Sequence, residues 1–221
     1  MKLFIDSANI DEIKEVAGWG VVSGVTTNPS LIAKEGKDFK STILQICRII
    51  EGPVSAEVLS LRTEDMIKDG REYSSWHPNI VVKLPMSEQG IKATKILSND
   101  GIKTNITLVF SANQALLAAL AGATFISPFI GRIEDTGHEG MSIIEEIRTI
   151  FDHYVFDTQI ITASIRSPQH VTMAAKIGSD ISTIPHKILK QMFKHPLTES
   201  GIKQFSEDWQ SLSSYKVPQG V

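Results

Sequence analysis

Two periodicities take turns along this chain. Short runs of β-branched and aliphatic residues, bounded by turn formers, predict strands. They cover Lys2–Asp6, Val21–Asn28, Val54–Glu57, Ile80–Leu84, Thr104–Thr107, Thr124–Ser127, Gln159–Ser164 and Asp180–Ile184. Between them apolar residues recur every three or four positions, the spacing of a helix with one buried face. Several helix starts carry cap chemistry. Asn9 precedes the first helix with Glu12 three residues on, Ser111 and Gln114 have capping-box spacing, and Thr63 and Ser87 can cap two more.

Strands alternating with helices imply a parallel sheet, because parallel neighbours need crossover connections. Eight such units in 221 residues predict an α/β fold, a closed (β/α)₈ TIM barrel. The competing architecture is an open doubly wound sheet. That fold announces itself with a glycine-rich first turn, whereas the first turn here is Asp6-Ser7-Ala8-Asn9. No linker or low-complexity tract divides the chain, so residues 1–221 are expected to form a single domain. A last amphipathic stretch, about residues 197–212 and opened by Pro196, is one extra helix beyond the repeat.

Composition narrows the function classes. Hydrophobic residues make up 42% of the chain, enough for a large core, and the net charge of -3 gives no electrostatic case for nucleic acid. The lone Cys47 lies in an apolar helical stretch and reads as core packing in a reducing compartment. Met1 leads straight into a strand, without a signal-like segment or a membrane-length apolar run, so the expectation is a cytoplasmic protein with no membrane partner.

The polar exceptions to the strand pattern fall at one end. Asp6, Asn28, Glu57, Lys83, Thr107, Ser127 and Ser164 close seven predicted strands. Thr26 pairs with Asn28 at a spacing of two, as Asn105 does with Thr107; Ser127–Phe129 and Ser164–Arg166 carry the spacing into loops. Barrel active sites lie at the C-terminal strand ends, and packing alone would place Val, Ile and Leu there. Lys83 closes the most apolar run of all, Ile80-Val81-Val82. By itself it reads as a lysine reaching for solvent. Beside Asp6 and Glu57 it is a candidate nucleophile for a carbonyl, with carboxylates at hand for proton transfer. Arg132 and Arg166 follow the sixth and seventh strands, where barrels commonly bind phosphate. The six histidines show no metal-ligand spacing, there is no cysteine cluster and no Walker loop, and no metal is expected. Trp76 and Trp209 read as packing residues; His138 and His186 read as surface or capping residues.

Five stretches in this order resemble one family over essentially the whole length. They are Phe4-Ile5-Asp6-Ser7-Ala8, Gly24-Val25-Thr26-Thr27-Asn28-Pro29-Ser30, Val82-Lys83-Leu84-Pro85, Ser127-Pro128-Phe129-Ile130-Gly131-Arg132 and Ala163-Ser164-Ile165-Arg166. The chain resembles transaldolases, in the short-chain subfamily that includes fructose-6-phosphate aldolase. The resemblance implies a cofactor-free barrel of the pentose phosphate pathway. Lys83 would form a Schiff base with a ketose phosphate, and Asp6 would take the C4 hydroxyl proton as the C3–C4 bond breaks. Glu57 would act through a water in forming and hydrolysing the Schiff base. Asn28, Asn105, Thr107 and Ser127 would serve the dihydroxyacetone hydroxyls or that water, with Thr26 beside them. Arg132, Ser164 and Arg166 would hold the phosphate. Short-chain relatives form pentamer rings that pair into decamers, so a homo-oligomer is expected.

Two positions separate the relatives. Fructose-6-phosphate aldolases resemble this chain but carry glutamine at position 57 and tyrosine at position 129, where Glu57 and Phe129 stand here. The resemblance therefore implies transfer of dihydroxyacetone between sedoheptulose 7-phosphate and fructose 6-phosphate. Two alternatives stay open: an aldolase releasing free dihydroxyacetone, and a catalytically idle sugar-phosphate-binding barrel.

Overall fold

The computed structural model describes residues 1–213. Eight parallel strands follow the chain in order: β1 (Lys2–Asp6), β2 (Val22–Thr26), β3 (Val54–Glu57), β4 (Ile80–Pro85), β5 (Thr104–Val109), β6 (Phe125–Pro128), β7 (Gln159–Thr162) and β8 (Ile181–Ile184). Each pairs with the next, and β8 pairs back on β1 with Lys2 opposite Ile181, so the sheet is a closed barrel as expected. The outer layer comprises α1 (Ile10–Ala17), α2 (Pro29–Glu35), α3 (Phe39–Ile49), α4 (Thr63–Trp76), α5 (Glu88–Asn99), α6 (Ala112–Leu120), α7 (Ile130–Glu134), α8 (Ser142–Tyr154), α9 (Pro168–Ile177) and α10 (His186–Met192). A final helix, α11, spans Pro196–Ser213. No helix among the described residues is long and apolar enough to cross a membrane.

Strand residues alternate between two different cores. Val82 and Leu84 of β4 point outward into the isoleucine-rich layer beneath the helices, together with Ile5, Ile106 and Ile126 from β1, β5 and β6. Val81 points inward, where it joins Phe4, Phe125, Ile161 and Ile181 in a separate apolar plug. Phe4 fills this floor because Gly24 has no side chain: a Cβ there would lie 2.4 Å from the Phe4 ring. A fully buried phenylalanine of this kind contributes about 1.5–3 kcal/mol relative to exposure. The plug fixes register, since a slip of one residue would turn every inward side chain outward.

Helix caps follow the sequence with two exceptions. Asn9 accepts hydrogen bonds from the N–H groups of Asp11 and Glu12, Ser87 from Gly90, and Ser111 from Gln114. Glu12 does not close a box on Asn9; its carboxylate accepts instead from the Ser7 hydroxyl. Thr63 is the first residue of α4 and not its cap, because its hydroxyl donates to the side chain of Gln89 on the adjacent helix. Pro85 pairs with Thr107 as the last residue of β4, a strand-end position that its missing N–H permits.

Two strands end sooner than the apolar pattern suggests. Asn28 lies beyond β2, where it caps α2 by accepting from Leu31 N–H at 3.0 Å. Ser164 lies beyond β7 and takes a left-handed backbone, φ 62°. Trp76 packs with Phe39 and Tyr73 as expected. Trp209 does not pack: on α11 Leu197, Ile202, Phe205, Trp209 and Leu212 are 61–75% exposed.

Candidate active site

The two-residue strand repeat that builds the plug also builds the site above it. Two residues beyond Phe4, Val81, Phe125, Ile161 and Ile181 stand Asp6, Lys83, Ser127, Ala163 and Thr183, and all five line one cavity at the C-terminal mouth. The cavity holds about 550 Å³, room for a sugar phosphate.

Lys83 is 4% exposed and ends at the cavity floor. Its Nζ lies 3.0 Å from Glu57 Oε2 and donates to the Thr27 carbonyl oxygen at 2.9 Å. A buried amine is tolerated only with such partners. They also fix the direction of the amine, which a surface lysine would lack. Register explains the pairing, because Lys83 lies directly opposite Glu57 across the β3–β4 ladder.

Asp6 is the second carboxylate. Thr26 Oγ1 donates to Asp6 Oδ1 at 2.7 Å and lies 2.6 Å from Thr183 Oγ1. With the Thr26 proton committed to the carboxylate, Thr183 is the donor to Thr26. What exposure Asp6 keeps opens onto the cavity. Burial raises its carboxyl above the ordinary carboxylate range; the Lys83 ammonium and the Thr26 hydrogen bond pull it down, Glu57 pushes it up, and burial wins. Such a carboxylate is a stronger base than a solvated one.

Opposite Asp6 the wall is made of hydroxyls. Ser127 Oγ donates to Asn105 Oδ1 at 2.8 Å, and Asn105 Nδ2 donates to Ser55 Oγ at 3.2 Å. Asn105 therefore does not line the cavity; it holds Ser127 from behind. Thr107 does line it, and its buried Oγ1 has no protein partner among the described residues, which leaves its hydrogen-bonding capacity to an occupant.

The rim is built by α7 and the loop after β7. The Arg132 guanidinium stacks over the Phe129 ring, 5.1 Å from its centroid. Phe110 meets the same ring edge-on at 6.1 Å. Arg166 pairs with Asp135 at 2.8 Å. Gly131 lets the two arms touch, because a Cβ there would fall 2.1 Å from the Ser164 carbonyl oxygen. Arg132, Ser164 and Arg166 all face the cavity.

The structure thus brings together Asp6, Thr26, Asn28, Glu57, Lys83, Thr107, Ser127, Phe129, Arg132, Ser164 and Arg166, and sets Asn105 behind them. Sequence reasoning missed Thr183, Ser55 and Lys34. Thr183 could have been found, since it holds the same register above Ile181 as Lys83 above Val81. Ser55 gave no signal before its partner Asn105 was placed. Lys34 lines the mouth from α2, where a lysine is unremarkable in sequence.

A closed parallel barrel whose mouth gathers a buried lysine, two carboxylates and rim arginines has the build of a (β/α)₈ enzyme with a lysine-centred site. Comparison with known proteins names it more closely. The chain belongs to the transaldolase/fructose-6-phosphate aldolase family, whose model matches residues 3–216. It is 60% identical over 212 residues to a "probable transaldolase" of Carboxydothermus hydrogenoformans, covering 96% of this chain and 99% of that one. A "probable transaldolase" of Alkaliphilus metalliredigens is 59% identical with the same coverage. One of Clostridium acetobutylicum is 59% identical over 209 residues, covering 95% of this chain and 97% of its own. Among solved structures, the carboxyl transferase domain of Rhizobium etli pyruvate carboxylase aligns with a TM-score of 0.60, covering 84% of this chain and 39% of that one. At 9% identity that likeness concerns the fold alone.

Proposed function

We propose that the protein is a transaldolase, moving a dihydroxyacetone unit between ketose and aldose phosphates through a Schiff base on Lys83. The observation that carries this reading is the Lys83 amine, buried and aimed at the cavity between Glu57 and the Thr27 carbonyl. Passing one proton from the ammonium to Glu57 frees the nitrogen to attack the ketose C2 carbonyl. The carbinolamine hydroxyl takes that proton and leaves as water, giving the iminium. Asp6 takes the C4 hydroxyl proton, C4 becomes the aldehyde carbon, and the C3–C4 electron pair flows into the iminium to form an enamine. The aldose phosphate leaves. The enamine carbon attacks the aldehyde of a second aldose phosphate, Asp6 returns its proton to the new hydroxyl, and water hydrolyses the iminium. Thr107 and Ser127 offer hydrogen bonds to the dihydroxyacetone hydroxyls, while Arg132, Ser164 and Arg166 hold the phosphate.

Transfer is favoured over simple cleavage by Phe129. Its ring packs under Arg132 and carries no hydroxyl to place water at the enamine. The exposed apolar face of α11 supports a homo-oligomer in which another copy covers that helix. The chemistry calls for no cofactor or metal, and its substrates point to the cytoplasm. Borohydride reduction with fructose 6-phosphate should place a mass adduct on Lys83, and added erythrose 4-phosphate should yield sedoheptulose 7-phosphate. No adduct on Lys83 would refute the mechanism. An adduct with free dihydroxyacetone as the main product would establish the aldolase instead.

A further inference from the structure

His170, on the first turn of α9, takes no part in the chemistry above, yet it touches both arms of the rim. Its Nδ1 accepts a hydrogen bond from the backbone N–H of Arg166 at 3.2 Å. That acceptor role places the ring proton on Nε2. Nε2 lies 3.1 Å from Glu134 Oε2 at the end of α7, the helix that carries Arg132. One imidazole, its side chain 12% exposed, therefore ties the Ser164–Arg166 loop to the Arg132 helix.

The loop needs such a tie. Ser164 holds φ at 62°, a conformation a non-glycine residue keeps only when its surroundings impose it. At their bases the arms are pinned by backbone bonds, Ile130 N–H to the Ala163 carbonyl oxygen at 3.1 Å and Ala163 N–H to the Pro128 carbonyl oxygen at 3.0 Å. Farther out, the Arg166–Asp135 pair lies in solvent and uses the guanidinium that a phosphate would claim. Contact at Gly131 prevents the arms from closing further but does not stop them parting. Beyond the pinned bases, the sheltered His170 bonds oppose separation of the outer turns that carry Arg132 and Arg166.

We infer that His170 is a positioning residue that sets the gap between Arg132 and Arg166, and through it the affinity for the phosphate end of the substrate. The inference rests on the phosphate role proposed for those arginines. It specifies a split by chemistry: phosphorylated sugars feel His170 and unphosphorylated sugars do not.

The test compares H170A, H170N and H170Q in kinetics with fructose 6-phosphate and with fructose, and in competitive inhibition by inorganic phosphate. Asparagine puts an acceptor near the Nδ1 position but does not reach Glu134, and glutamine reaches toward Glu134 but leaves the Arg166 N–H without its acceptor, so each cuts one end of the bridge. H170A, H170N and H170Q should each raise KM for fructose 6-phosphate and the phosphate inhibition constant about five- to tenfold, the loss of one hydrogen bond across the arms. Their kcat, and KM for fructose, should stay within about twofold of wild type. Equal effects on both sugars, a fall in kcat alone, or H170N or H170Q indistinguishable from wild type would overturn the inference. R132A and R166A serve as the reference. If they discriminate between the sugars and H170A does not, the positioning role alone fails. If they do not discriminate either, the phosphate site itself is misassigned and the inference falls with it.

Discussion

Replacing Lys83 with methionine keeps most of the apolar stem and removes the charge, leaving Asp6 and Glu57 facing one cavity without a cation between them. Lys83 is the largest influence pulling the Asp6 carboxyl down; once it is gone, burial and Glu57 push the same way and only the Thr26 hydrogen bond opposes them. The Asp6 carboxyl, already raised, must rise further. The sign of the consequence follows from linkage. A carboxyl raised on folding binds its proton more tightly in the folded state than in the unfolded state, where its pKa is about 3.9. Its effect is least harmful at low pH, and stability is lost as pH rises from that value toward the folded pKa. Each such proton gives a slope of up to about 1.4 kcal/mol per pH unit. The K83M mutant should therefore lose ground to wild type as pH rises above the wild-type Asp6 pKa, by up to about 1.4 kcal/mol per pH unit while the mutant carboxyl stays protonated. Urea unfolding of wild type, K83M and K83M/D6N at each pH measures it, since groups unaffected by the mutation cancel in the difference. In K83M/D6N most of the excess slope should vanish. A stability difference between K83M and wild type that is constant with pH would refute the electrostatic account of the site.

Further outcomes follow from the same geometry. The single mutant D6N should lose carbon–carbon cleavage yet unfold at a higher temperature than wild type, with the gain larger at pH 7 than at pH 5, because it removes a carboxyl that burial disfavours. G131A must part the Ser164 carbonyl from α7 by about 1 Å, so it should cost ~1–3 kcal/mol in thermal unfolding and raise KM for phosphorylated sugars most. R132A and R166A should each weaken sugar-phosphate binding by roughly 1.5–3 kcal/mol. R166A should change stability by less than about 1 kcal/mol, since its partner Asp135 is a surface group. In F129Y the ratio of dihydroxyacetone released to dihydroxyacetone transferred should rise; an unchanged ratio in a folded, active mutant would remove Phe129 from the choice between transfer and cleavage.

The barrel was legible because its two signals, strand runs and helical spacing, repeat eight times and each local choice agrees with the global one. Strand ends were less legible. Asn28 and Ser164 continue the strand pattern in sequence, but a helix cap and a left-handed turn outweigh β propensity there. Most of the candidate site could be read from polar residues at strand ends, since the two-residue repeat sends them to one mouth. Relationships across strands were not legible. That Asn105 supports Ser127 from behind, and that Thr183 completes the bond chain to Asp6, depend on register between segments 22 and 157 residues apart. The His170 bridge was hidden for the same reason. Trp209 shows the opposite limit: an amphipathic pattern marks an apolar face without saying which surface covers it.

The apolar floor of the barrel has a consequence for traffic. Phe4, Val81, Phe125, Ile161 and Ile181 leave almost no accessible space below Lys83, so the cavity has no exit through the bottom. Everything enters and departs by the same door. Under the proposed chemistry, the first aldose phosphate must clear the doorway before the second can reach the enamine, and both compete for the same arginines on the way. A one-door chamber imposes a strict queue: release before capture, parallel lines in a double-reciprocal plot, and inhibition when an excess of acceptor crowds in before the donor.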